Sequence, residues 1–216
     1  MSSSAGVLPF SRNDGEIFFL VGRDARDSVF SDFGGKLESV DKNDPVATAT
    51  REFYEESLGV ICNSPHDLRQ RLKDLSVCLF GHTKNRHVYR MYMLEIPYCK
   101  DIPRKFSKVA NFLKYKNIGV SCIEKTELVW CTMDELLKIP KRLVFTETLQ
   151  SNLNIIKRLE KEPWRQLCKE YKSCDTVPPL AKTCATTATR TEGKYVPPTR
   201  RGSFCELGER RLSAPY

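Results

Sequence analysis

The chain has 216 residues, 40% of them hydrophobic, which is ordinary for a folded protein and long enough to bury the core of one modest domain with an appendage. No apolar run reaches the ~20 residues that a membrane helix needs, and the opening Met-Ser-Ser-Ser-Ala-Gly lacks the basic and apolar blocks of a secretory signal. The nine cysteines include no Cys-x-x-Cys pair, which argues against zinc and for a reducing compartment, the cytoplasm or the nucleus.

Taken in chain order, Ala5–Phe10 and Glu16–Gly22 are apolar and β-forming, with an Asp14-Gly15 turn signal between them that predicts a hairpin. Arg23–Asp32 reads as a polar loop leading to Gly34-Gly35, and Asp44–Leu58 as a helix, with Asp44 as its cap and Pro45 at its first position. His66–Leu75 reads as a linker with a short helical piece. Ser76–His82 and His87–Ile96 are predicted strands joined by a tight loop at 83–86. Arg104–Lys116 is a basic amphipathic helix with Phe106, Val109, Ala110 and Leu113 along one side. Glu127–Cys131 is a further strand, with Cys131, like Cys78, a small core residue. Thr132 caps a short helix, Met133–Leu137, and 143–172 is helical with a break at Pro163. From Ser173 onward the composition turns to Thr, Ala, Pro and Arg without apolar period, so the expected organisation is a domain over 1–172 and a flexible basic tail over 173–216.

Charge is spread unevenly. Residues 1–60 hold 6 Lys and Arg against 11 Asp and Glu, net −5; residues 61–172 hold 22 against 12, net +10; the last 44 hold 7 against 4, net +3. An acidic region beside a basic one suits a polyanionic substrate, and the basic excess would also suit RNA.

The acidic region centres on Gly34–Gly59, GGKLESVDKNDPVATATREFYEESLG. On a helix Glu52, Glu55 and Glu56 are i, i+3 and i+4, so their carboxylates share one face and repel one another unless a cation sits among them. Val46, Ala49, Thr50 and Phe53 form a side that can dock on a sheet, and Arg51 supplies a fixed positive partner beside Glu52 and one turn before Glu55. A solvated acidic face is the plain alternative; the glycine turn, the helix start and Arg51 favour a site.

This stretch resembles the signature of the Nudix hydrolases: a Gly, a spaced acidic residue, then Arg-Glu-apolar-x-Glu-Glu-x-Gly-apolar. Arg51, Glu52, Phe53, Glu55, Glu56, Gly59 and Val60 stand in those roles. Gly35 and Arg51 are 16 positions apart, about two more than the family spacing, which leaves the early acidic role open among Glu38, Asp41 and Asp44. Leu58 is an additional residue before Gly59. The resemblance implies an α/β/α sandwich with a mixed sheet, on which the helix at 104–116 is an insertion and 173–216 a tail.

It also implies cleavage of a phosphoanhydride with Mg2+ or Mn2+. The implied ligands are Glu52, Glu55 and Glu56 with the Gly35 carbonyl, with Glu52 a metal ligand or the base, Arg51 orienting the carboxylates, and Glu124 or Glu127 completing the set. Lys36, Phe33 and Arg86 are the expected substrate contacts. Phe33, like Phe30, either stacks on a nucleobase or packs, and Arg86 lies with Lys84 between His82 and His87, where exposed turn residues are the plainer reading. Trp130 is expected in the core. The segment SDFGGKLE with DKNDP and REFYEE is also similar to Nudix proteins of large DNA viruses, some of which decap mRNA. Capped RNA is therefore the first substrate expectation, with RNA contact through helix 104–116. Small nucleotides (a dinucleoside polyphosphate, a nucleoside triphosphate or a nucleotide sugar) are the second, and a silent RNA-binding domain the third. The tail segment 194–201, KYVPPTRR, has an extended Pro-Pro element, an aromatic anchor and basic charge, the composition of a docking peptide.

Overall fold

The computed structural model describes residues 4–119 and 123–171. Contacts group the chain into Met1–Pro179 and Leu180–Tyr216, and every described residue falls in the first. The expected tail, 173–216, and the docking peptide at 194–201 lie outside the described residues.

A mixed sheet organises the domain. Strand β1 (Ser4–Asn13) runs parallel to β6 (Val88–Glu95) along one edge. Along its other edge it pairs antiparallel first with β4 (Phe33–Lys36) and then with β2 (Glu16–Asp24). The change of partner falls between Val7 and Phe10, where Pro9 lacks an N–H and leaves no donor unpaired at the gap. The β1–β2 turn is the expected one, with Asp14 and Gly15 both at positive φ (52° and 82°). Strand β2 continues past its predicted end and pairs with β3 (Phe30–Ser31) and β7 (Lys125–Thr132); β5 (Ser76–His82) pairs with β6 and closes the other edge.

Both faces of the sheet are covered, which the strand sequences dictate: in β1, β2 and β6 successive residues are apolar. Leu8, Phe10, Phe19, Val21, Met91 and Met93 point to one side, against α4 (Met133–Lys138), α5 (Leu143–Ser151), α6 (Leu153–Lys157) and α7 (Trp164–Tyr171), which contribute Leu136, Phe145, Leu149, Ile156 and Leu167. Val7, Leu20, Tyr92 and Leu94 point to the other, against α1 (Pro45–Glu56), α2 (Pro65–Asp74) and α3 (Ile102–Lys116), which contribute Ala49, Phe53, Leu68, Leu72, Phe106 and Ala110. The fold is the α/β/α sandwich with a mixed sheet that the resemblance implies.

Two sequence expectations are corrected. The linker at His66–Leu75 is a full helix, because Ser64 caps it, Pro65 starts it and Leu68 and Leu72 anchor it in the core. The helical run from Leu143 breaks at Asn152 as well as before Trp164: the Asn152 amide donates to the carbonyls of Phe80 and Thr148 (2.9 and 2.8 Å), tying the chain to β5 at the break. The basic helix between β6 and β7 is present, one turn-start earlier than predicted, and packs in the same layer as α1.

Candidate active site

Local chemistry fixes the start of α1. Asp44 accepts from the Val46 N–H (2.8 Å) and is held by Arg69 (2.6 Å), and Pro45 occupies the first turn. The expanded loop before it contains a 3-10 turn, Ser39–Asp41, that buries Asp41. Burial works against the charge of Asp41, yet its pKa lies below the usual carboxylate range, because Arg51, the Glu38 N–H (2.9 Å) and the Thr48 hydroxyl (3.0 Å) all donate to it. Arg51 grips it with two bonds, Nε to Oδ1 at 3.1 Å and Nη2 to Oδ2 at 3.0 Å. Of the three acids left open by the sequence, Asp41 is the one held by the motif arginine; Glu38 is 3.8 Å from it and Asp44 caps the helix.

Arg51 then fans outward. Its Nη1 meets Glu52 at 2.9 Å and Glu55 at 3.2 Å, and its Nη2 donates to the Lys36 carbonyl at 3.1 Å. The guanidinium joins the glycine strand, the loop and the helix into one unit.

The three glutamates are unequal. Glu55 is the most exposed. Glu52 is largely buried, and its pKa is raised: burial is the main cause, and the Glu55 and Glu124 carboxylates add to it against the pull of Arg51. Glu56 is 4% exposed. It accepts from the Gly34 N–H at 2.8 Å, lies 3.4 Å from Lys125 Nζ, and has a pKa pushed up to about 8 by burial, with Glu52, Asp24 and Asp32 reinforcing the shift and Lys125 opposing it. The glycines are required by this approach: a Cβ on Gly35 would overlap the Glu52 carboxylate, and one on Gly34 would meet the Tyr89 hydroxyl and the backbone of Gly6 and Ala5. The helix ends at Glu56, and the chain turns left-handed at Leu58 (φ 53°) and again at Gly59 (φ 66°). The additional residue thus sits in the first left-handed position, after the carboxylates, and does not disturb them.

Beneath Glu56 lies a buried polar network that the sequence did not announce. Lys125 is fully buried; its ammonium donates to Asp24 (2.6 Å), to the Ser31 hydroxyl (2.6 Å) and to the Asp32 carbonyl (3.1 Å). Arg142 reaches Asp24 from the opposite layer (2.7 Å). Tyr89 donates to Asp32 at 2.5 Å, and burial lifts Asp32 to about 6 despite that bond. The one legible signal was an opposite-charge pair on facing strands, Asp24 opposite Lys125, which requires the β2–β7 register to see.

Two cavities meet at these carboxylates. The first, about 500 Å3, has an acidic wall of Glu38, Glu52, Glu55, Glu56 and Glu124 and an apolar wall of Leu58, Leu113, Ile118 and Ile123. The second, about 310 Å3, is lined by Gly34 and Gly35, by the acids Asp24, Glu38, Glu52 and Glu124 and by the cations Arg26, Lys36 and Arg142. Glu124 lines both cavities, whereas Glu127 lines neither and is paired with Arg23, which separates the two late acids. Lys36 lines the second. Phe33 does not offer a stacking face: it is fully buried and packs edge-on against Phe53 with ring centres 5.2 Å apart. Phe30 is also buried, with the Arg23 guanidinium over its ring. Arg86 is exposed at the tip of the β5–β6 hairpin and lines neither cavity. Trp130 packs at the core's edge and donates to the Cys99 carbonyl (3.0 Å).

The chain folds as the Nudix resemblance implies. No family model matches it, and no curated protein does. Among solved structures it is similar to a C. elegans Ap4A hydrolase in a binary complex, at 15% identity over 73% of this chain and 98% of that one, with a TM-score of 0.47. It is also similar to the Nudix hydrolase RenU of M. smegmatis, at 13% over 73% and 88% (TM-score 0.46). A third is the NUDIX domain of Shewanella oneidensis NrtR complexed with ADP ribose, at 14% over 73% and 87% (TM-score 0.44).

In kind the donors suit a hard divalent cation: carboxylate and backbone oxygens without thiol or imidazole, with Glu52 and Glu56 held above their usual pKa by burial first and by neighbouring carboxylates second. The missing side chain at Gly35 leaves backbone bare against Glu52. Among the described residues no three His, Cys, Asp or Glu side chains converge as a ligand set, and Arg51 is paired with both Glu52 and Glu55.

Proposed function

We propose that this chain is a metal-dependent Nudix pyrophosphohydrolase that cleaves a phosphoanhydride in a nucleoside diphosphate-linked substrate, with the 5′ cap of RNA as its first candidate. The observation that carries the reading is that Glu52, Glu55, Glu56 and Glu124 line one cavity while the bare Gly34–Gly35 backbone and three cations line an adjoining one that shares Glu52 and Glu124.

Glu52 and Glu56, with the Gly35 carbonyl, would hold Mg2+ or Mn2+, and Glu55 and Glu124 would stand at the rim. When bound, such an ion neutralises charge on the phosphates and activates water. The chain's own residues do the rest. Lys36, Arg26 and Arg142 stand among the four acids of the second cavity, Asp24, Glu38, Glu52 and Glu124, as the cations that would meet phosphate oxygens. Glu52, whose pKa is raised, is placed to take a proton from an attacking water or to serve as a ligand. Arg51 keeps Glu52 and Glu55 in register with the glycine strand and does not itself need to touch substrate.

The volume of the first cavity supports a second reading, a small nucleotide held wholly inside it, since about 300–1,000 Å3 is the usual range for such ligands. A single screen separates the two: capped RNA, dinucleoside polyphosphates, nucleoside triphosphates and nucleotide sugars, each with Mg2+ and then Mn2+, for the wild type and for Glu52→Gln and Glu56→Gln. Turnover lost in both variants, with capped-RNA cleavage falling steeply as salt rises, supports the first reading; salt-insensitive turnover of a small nucleotide supports the second. Turnover untouched by either substitution refutes the metal assignment.

A further inference from the structure

The outer surface of α3 carries chemistry that the hydrolytic site does not use. Between Ile102 and Lys116 the helix has five cations (Arg104, Lys105, Lys108, Lys114 and Lys116) and no acid. Arg104 meets Asp101 (3.3 Å); the four lysines have no carboxylate partner among the described residues. Two aromatic side chains stand among these charges. Tyr115 is 83% exposed and Phe112 56%, although Phe106 and Ala110 on the inner side satisfy the packing of the helix. Arg104, Lys108 and Tyr115 fall on one stripe at helical spacing, with Lys105 and Phe112 beside it. The Lys116 ammonium lies 5.5 Å from the centre of the Tyr115 ring. The same helix reaches the first cavity: Leu113, with Ile118 and Gly119 just past the helix end, lines it opposite Glu52 and Glu55.

We propose that this face is a platform for single-stranded RNA, with Tyr115 and Phe112 stacking on bases and Lys105, Lys108 and Lys116 holding phosphates, so that the strand passes round the C-terminal end of α3 and delivers its 5′ end to the cavity. The inference rests on the pyrophosphohydrolase reading and gives it a direction of substrate entry. Exposed rings alternating with unpaired cations are what a single strand needs, since every base has a stacking face and every nucleotide a phosphate. A duplex, with its bases already stacked, offers nothing to the rings. An apolar protein partner would gain from Phe112 and Tyr115 but would have to desolvate the lysines that surround them. Tyr115 and Leu113 lie on opposite sides of the helix, so the path is about one helix diameter, roughly 10 Å, which a few nucleotides of extended chain cover.

The test is fluorescence anisotropy of a labelled, unstructured RNA oligonucleotide on the full chain across a salt series, paired with capped-RNA kinetics. Tyr115→Ala and Phe112→Ala should each weaken binding roughly ten-fold or more, and Tyr115→Phe should restore it. Lys108→Gln and Lys116→Gln should each lower the log–log salt slope by about one. Tyr115→Ala should raise the KM for capped RNA and leave kcat in place. The proposal is overturned if the ring variants bind as the wild type does, if Tyr115→Phe falls as far as Tyr115→Ala, if duplex RNA binds equally well, or if Phe112→Ala dissolves a dimer while RNA binding holds. RNA binding through these residues in a chain that turns over no substrate of the screen would sink the hydrolase reading alone; unchanged RNA binding by the ring variants of an enzyme that needs Glu56 would sink the platform alone.

Discussion

Glu56→Gln probes the centre of the site because the structure assigns this carboxylate a measurable electrostatic strain. Burial raises its pKa from 4.5 to about 8. Between those values the folded protein holds a proton that the unfolded chain has released, so stability falls as pH rises across this window and the loss is complete above pH 8. A shift of that size corresponds to about 5 kcal/mol as an upper bound, at 1.36 kcal/mol per unit. Glutamine removes the charge and can still accept from the Gly34 N–H. Doing so turns its NH2 toward Lys125, 3.4 Å from the present oxygen, and that repulsion offsets part of the gain. A net gain of about 2 kcal/mol at pH 9 moves Tm by ~4–8 °C for a domain of this size. Thermal unfolding followed by circular dichroism in chelator, from pH 4.5 to 9, should show wild type and variant together at the acid end and the variant increasingly more stable above it. Mg2+ at pH 9 should then stabilise the wild type and not the variant. Parallel pH profiles, or equal stabilisation of both proteins by Mg2+, would refute the reasoning.

Three further outcomes follow from the geometry. Glu124→Gln should lower kcat by ten-fold or more, whereas Glu127→Gln, whose partner is Arg23 outside both cavities, should leave turnover within two-fold; steady-state kinetics of the pair checks this. Asp41→Asn should destabilise the protein by about 1.5–3 kcal/mol at neutral pH, since it removes the charged partner of a bidentate arginine. Because the Asp41 pKa is lowered, that deficit should shrink as pH falls below 3.8, which urea unfolding at several pH values would show. Lys125→Met should cost about 3–5 kcal/mol, ~10 °C in Tm, because Asp24 and Glu56 lose a buried cation that Arg142 replaces only for Asp24.

What was legible in the sequence was whatever the chain writes locally. The cap Asp44-Pro45, the hairpin at Asp14-Gly15, and the spacing of Arg51, Glu52, Glu55 and Glu56 depend on residues within a turn or two of one another, and each stands where local rules put it. The choice of Asp41 over Glu38 and Asp44 was not legible. It depends on a 3-10 turn that folds back so that Asp41 meets the Glu38 N–H and Thr48 while Asp44 is used up as a cap. Phe33 beside a glycine pair suggested an exposed ring; in the strand it alternates inward and packs on Phe53, the residue that also anchors α1.

The buried half of the site was the least legible, and for a physical reason. Asp24 and Lys125 are 101 positions apart, and Tyr89 and Asp32 are 57 apart. Only strand register joins them, and a shift of one residue would turn Lys125 out of the interior. That register also determines how the carboxylates differ. With Lys125 beneath it, Glu56 can be buried without a water shell, while Glu52 and Glu55 remain at the cavity wall and depend on Arg51 instead. Three glutamates that look equivalent on a helical wheel are therefore divided by two fixed cations from different parts of the chain, one buried and one at the rim. On the proposed reading, that division would make Glu56 the fixed ligand and keep Glu52 at the cavity wall, where it can serve as ligand or base.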